Sequence, residues 1–165
     1  MSSRKGWHLI FMEKICSFFG HRDVEITDFL YDATKAEIQK ALDLGCRTFY
    51  FGGYGDFDDL CYKIVTVIKE KSPELGIQRI YCVAHERYLR KGAPYFRAEN
   101  YDAVIYLEPD FTGWSKSIYY RNCAMIDKSD LVIFYAEERE NSGAYKAYKY
   151  AKRKKGKLLV NLWQM

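Results

Sequence analysis

Six short apolar runs, separated by longer stretches with a helical apolar rhythm, constrain this chain more than any other feature. The runs occupy residues 15–19, 48–51, 77–84, 103–107, 131–135 and 158–162. Several are apolar at successive positions and not only at alternate ones, the pattern of strands covered on both faces. Between them, residues 29–44, 57–69, 116–126 and 142–154 place apolar side chains at helical spacing. This alternation predicts an α/β fold of three layers around a mostly parallel sheet of about six strands. Residues 86–99 stay unassigned, because Gly92 and Pro94 interrupt them.

A chain of 165 residues is long enough to bury one sizeable core, and its 48% hydrophobic and 17% aromatic content excludes a disordered protein. No apolar run approaches the roughly 20 residues a membrane-spanning helix needs, and residues 7–12 are too short and mixed for a secretory signal. A cytoplasmic protein without a membrane partner is the expectation. Five cysteines, Cys16, Cys46, Cys61, Cys82 and Cys123, are odd in number and widely spaced, with no Cys-x-x-Cys, so reduced core thiols are expected and no metal site. Residues 1–11 precede a second methionine, Met12, which leads almost directly into the first apolar run. They read as an N-terminal extension of a single domain over 12–165.

The formal net charge of +4 comes from one segment. Seven cations and no acid lie between Lys146 and Lys157, at the end of the last predicted helix, where exposed carbonyls favour positive side chains. The first partner expected for these cations is therefore their own helix. Tyr145, Tyr148 and Tyr150 interleave with them, which also suits a single-stranded nucleic acid. Core packing is the simpler account of those tyrosines, so nucleic acid stands as an alternative partner.

In open α/β sheets ligands bind beyond the carboxyl ends of the strands, so the residues that follow each run carry the functional signal. After the first run come Gly20, His21 and Arg22, a close-approach glycine followed by groups suited to a phosphate or a sugar edge. The second run enters Gly52-Gly53-Tyr54-Gly55-Asp56-Phe57-Asp58 and then a helix, a concavity of N–H donors in which Asp56 or Asp58 could cap the helix. It is neither a Walker A loop nor a Gly-x-Gly-x-x-Gly fingerprint. Beyond the third run, His85 suits a structural role better than a catalytic one. Arg121 and Asn122 sit together in a largely apolar helix, where burying them is costly without partners. Ser142 and Gly143 start the helix after the fifth run, again offering N–H donors at the same edge.

These motifs in this order resemble the SLOG superfamily, the Rossmann-like group that contains the DNA-processing protein DprA and the LOG phosphoribohydrolases. The resemblance rests on Gly20-His21-Arg22, the Gly52 to Asp58 loop, Arg121-Asn122-x-x-Met125-Ile126-Asp127-x-Ser129-Asp130 and Ser142-Gly143-Ala144, and spans residues 15–162. Among its members the small bacterial YpsA-like proteins are the most similar. The resemblance implies a Rossmann-like sheet whose strand-end loops bind a nucleotide or a nucleotide derivative. It assigns Gly20, His21 and Arg22 to one ligand loop, Gly52, Gly53, Gly55 and Asp58 to a second, Arg121 and Asn122 to a wall, and Ser142 and Gly143 to a phosphate-facing helix start. The chain departs from LOG enzymes where Asp59 replaces their glutamate. It departs from the nucleoside deoxyribosyltransferases where Ala147 falls at their nucleophile.

The main expectation is thus a small-molecule nucleotide ligand with no required cofactor, with Tyr54 or Trp114 stacking on a base and Arg22 and Arg121 neutralising phosphate. A second is an enzyme that cleaves an N-glycosidic bond, with Asp58, Asp59 or Glu140 as the carboxylate. A homodimer is expected by analogy with other small Rossmann-like proteins.

Overall fold

The computed structural model describes residues 13–90, 98–109 and 116–165. The expected extension over 1–11 and Trp114 lie outside them. In chain order the elements are β1 (Lys14–Gly20), α1 (Asp28–Asp43), β2 (Cys46–Phe51), α2 (Asp56–Lys71), β3 (Gln78–Cys82), β4 (Ala103–Ile105), α3 (Ser117–Lys128), β5 (Leu131–Tyr135), α4 (Gly143–Lys152) and β6 (Leu158–Asn161). All six strands are parallel, in the order β4-β3-β2-β1-β5-β6. The predicted α/β class and six-stranded sheet hold; β4 is shorter than its apolar run, ending at Ile105.

Both faces of the sheet are packed, which explains the unbroken apolar runs. On one face Cys16, Phe18, Phe49, Phe51 and Ile133 meet Leu30 and Ile38 of α1 and Phe57, Ile64 and Val65 of α2. On the other, Phe19, Tyr50, Val132 and Phe134 meet Met125 and Ile126 of α3 and Ala144, Ala147 and Ala151 of α4. Successive strand residues thus feed opposite cores, the two-residue period of a pleated strand. The alanine stripe of α4 lets that helix approach the sheet closely. Ala147 is fully buried, so the position at which deoxyribosyltransferases carry their nucleophile is a core position here. All five cysteines are buried free thiols. Among the described residues no helix is long and apolar enough to cross a membrane.

The strand order reverses at β1: the chain steps outward through β2, β3 and β4, then returns on the other side as β5. Gly20 pairs with Tyr135, so β1 and β5 end level, and the loops that follow them flank one crevice. Gly20 itself serves packing. A Cβ there would lie 2.3 Å from the Phe57 ring at the start of α2, far inside contact distance. Gly20→Ala is therefore expected to destabilise the fold by about 2 kcal/mol, the cost of overpacking a filled core. Denaturant unfolding of the two proteins measures this.

Candidate functional site

The crevice at the carboxyl ends of β1, β2 and β5 is a cleft of about 380 Å³. It brings together most of the residues singled out from the sequence: Gly20, His21 and Arg22 after β1, Gly52 and Tyr54 after β2, and Asp58 on α2. Arg121 and Asn122 enter from α3, and Glu140, Ser142 and Gly143 follow β5. Arg139 and Asn141 also line it, and sequence reasoning passed over both. Their signal was present in the polar loop between β5 and α4. Asn141 sits at φ 62°, a left-handed conformation that asparagine tolerates better than most residues.

The first and second loops are locked to each other. The Asp56 N–H donates to the Arg22 carbonyl at 2.8 Å, and the Asp56 carboxylate accepts from the Val24 N–H at 2.9 Å. The Arg22 guanidinium lies 4.4 Å from the centre of the Tyr54 ring. Gly55, at φ 101°, is the cap residue of α2 and packs on the Arg22 backbone, while Gly53 packs on Tyr81. Neither lines the cleft among the described residues. Asp56 and Asp58 do not cap α2 as expected, because their carboxylates are drawn to loop N–H groups instead.

His21 ties the first loop to the third. It is buried, and its Nε2 accepts from the Glu137 N–H at 2.7 Å, which places the ring proton on Nδ1, facing Ser142 Oγ at 3.3 Å. Burial, helped by Arg139 and opposed by Glu137, lowers its pKa, keeping the ring neutral as this arrangement requires. Ser142 Oγ also accepts from the Tyr145 N–H at 3.1 Å, capping α4. With both lone pairs engaged, its hydroxyl hydrogen remains to donate to a ligand. His21 is thus a tether that aims Ser142. Its role as a tether could not be read from the sequence, because the partner lies 121 residues away.

Arg121 and Asp58 set the charge of the cleft floor. The Arg121 guanidinium donates to the Asn122 side-chain oxygen at 3.2 and 3.0 Å and to the Gly52 carbonyl at 3.1 Å. A Cβ at Gly52 would lie 2.9 Å from its Nη2, so that glycine admits the side chain. These acceptors are all neutral. Burial lowers the Arg121 pKa from an ordinary value high enough that the group stays charged. Arg121 is half-buried and Asp58 buried; the Asp58 Oδ1 accepts from the Gly52 N–H at 3.2 Å, and among the described residues its Oδ2 has no hydrogen-bond partner. Burial raises its carboxyl to about 7, against the lowering pull of Arg121. Around neutral pH a full positive charge therefore faces a carboxyl only partly ionised, and the floor is net positive. Asp59 is exposed on α2 and, among the described residues, outside the cleft lining; Glu140 is exposed at the rim. His85 caps the short turn Glu86–Leu89, its Nδ1 accepting from the Arg87 N–H at 3.2 Å.

No family model matches the sequence, and no curated protein matches it. Solved structures share the fold, two DprA proteins among them. DprA from Streptococcus pneumoniae superposes with a TM-score of 0.58 at 15% identity, over 92% of this chain and 50% of that one. DprA from Helicobacter pylori, whose structure describes a single-stranded DNA binding mode, gives a TM-score of 0.56 at 18% identity, over 88% of this chain and 64% of that one. The chain thus spans about half to two thirds of these proteins. These likenesses show a shared Rossmann-like fold.

The raised Asp58 pKa gives a signed prediction. Because the folded carboxyl holds its proton to higher pH than an unfolded one, its contribution to stability is largest at low pH and is lost as pH rises from about 4 to about 7. His21, shifted the other way, loses stability as pH falls below about 6.5. Asp58→Asn isolates the first effect. Its melting temperature is expected to exceed that of the parent at pH 8, with the difference closing toward pH 5.

Proposed function

We propose that the chain binds single-stranded nucleic acid, seating a nucleotide phosphate in the cleft beyond β1, β2 and β5. Arg121 carries this proposal: a half-buried guanidinium that lines the cleft, held by neutral oxygens beside a carboxyl whose burial favours its neutral form, is a cation prepared for an anion. The α4 N-terminus and the Ser142 hydroxyl face the same space, and Arg22 and Arg139 stand at its rim. Tyr54, 53% exposed, offers a ring on which a base can stack. The likeness to DprA adds support for a polynucleotide, because the Helicobacter pylori protein is described in its single-stranded DNA binding mode. The order of the motifs favours the small YpsA-like members of the SLOG superfamily.

A free nucleotide is a second reading, favoured by the cleft volume of about 380 Å³, which suits one nucleotide. Cleavage of an N-glycosidic bond draws less support from the geometry. One oxygen of Asp58 is engaged by Gly52, Asp59 lies outside the cleft lining, and position 147 is a core alanine.

Arg121→Met is expected to weaken binding of an oligothymidylate about tenfold or more, the loss of one charge-assisted contact. Fluorescence anisotropy measures this, with thermal melting confirming that the variant folds. Undiminished affinity in a folded Arg121→Met protein contradicts the proposal.

A further inference from the structure

The basic segment does not behave as one unit in the fold. Its far end is used internally: Lys157 donates to the carbonyls of Asp127 and Ser129 at 3.0 and 2.7 Å, and Lys154 pairs with Asp127 at 3.4 Å. Both contacts fasten α4 and its exit to the end of α3. Four of the other five cations point elsewhere. Lys146, Lys149, Lys152 and Arg153 line one side of a groove of about 960 Å³, and Lys116 with the first turn of α3 lines the other. None of the described residues lining this groove is acidic.

Their spacing follows from the helix. Positions 146, 149 and 152 recur every three residues along α4, and Arg153, its cap residue, follows Lys149 by four, so the four form a stripe along one side. The Lys149 and Lys152 ammonium groups lie 5.1 and 5.2 Å from the centres of the Tyr145 and Tyr148 rings one turn back. The tyrosines thereby hold these chains along the helix and keep the cations aligned. Tyr119 presents a ring in the groove itself. Cations in a row beside an aromatic ring match a sugar-phosphate strand with exposed bases.

The groove also meets the cleft. Ile118, 61% exposed, lines both, and Lys146 lies one turn beyond the Ser142 cap that faces the cleft. We propose that a nucleic-acid strand seated in the cleft continues over Ile118 into the groove between α3 and α4, where Lys116, Lys146, Lys149, Lys152 and Arg153 meet its following phosphates. This deepens the function proposed above and rests on it. It makes the partner a strand of several nucleotides, with the Arg121 site at one end of a cationic track.

The test compares thymidine 5′-monophosphate with a trinucleotide and an octanucleotide of thymidine, each titrated over a range of salt concentrations. Affinity is expected to rise with length, and the salt dependence to steepen by about 0.7 in log–log slope for each further phosphate engaged. Lys149→Gln combined with Lys152→Gln is expected to lower the octanucleotide slope by about 1.4. The gain on passing from the mononucleotide to the octanucleotide should shrink with it. Equal affinity and slope for all three probes, with binding still dependent on Arg121, overturns the track and leaves the cleft standing. Octanucleotide binding that survives Arg121→Met but fails in the double variant overturns both the cleft assignment and a continuous path. No binding of any probe, with association instead to vesicles rich in phosphatidylserine, overturns the strand as the partner.

Discussion

The Arg121 guanidinium spans the end of the sheet, from its own helix across to the carbonyl of Gly52, and the geometry of the cleft depends on that reach. A side chain at Gly52 would crowd it, and Asn122, next in sequence, accepts from two of its N–H groups. Asp58 then finds its carboxyl facing both this cation and the N–H of the same glycine. A structural salt bridge would have satisfied the charge. Here the hydrogen bonds go to neutral groups and the nearest carboxyl is held partly protonated by burial, so the guanidinium keeps most of its attraction for an anion.

The loops around Arg121 are fixed by contacts that cross the chain. Asp56 joins the first loop to the second, and His21 joins the first to the third while orienting the Ser142 hydroxyl. These contacts hold the three loops to one another, which lowers the ordering cost of binding in the cleft. From it the cationic stripe of α4 leads away along one face, with Ile118 at the junction. One helix thus presents its N-terminus to the cleft and a row of lysines along its flank, so both parts of the proposed path lie on the same element.

Much of this was legible in the sequence, and the exceptions share a cause. The strands could be read because burial on both faces leaves runs such as Leu131–Tyr135 apolar throughout. Arg121 and Asn122 stood out because polar neighbours in an apolar helix need partners. What could not be read was the direction of side chains whose partners come from distant loops. Gly20 looked like a residue for close ligand approach and does line the cleft, but the packing of Phe57, which also requires a glycine there, was not legible. Asp56 and Asp58 looked like helix caps, yet each reaches back to a loop N–H. The cations between residues 146 and 157 looked like one patch serving their own helix. The packing of α4 on α3 divides them into an internal clamp and an outward stripe.

The central claim is that a nucleic-acid phosphate is held by Arg121 at the carboxyl edge of the sheet. A crystal structure of the protein bound to a thymidine octanucleotide tests it most directly. The account predicts a phosphate within hydrogen-bonding distance of the Arg121 guanidinium or the Ser142–Gly143 helix start, with the strand leaving along the lysine face of α4. A strand bound on any other face, with no ligand atom near Arg121, contradicts it.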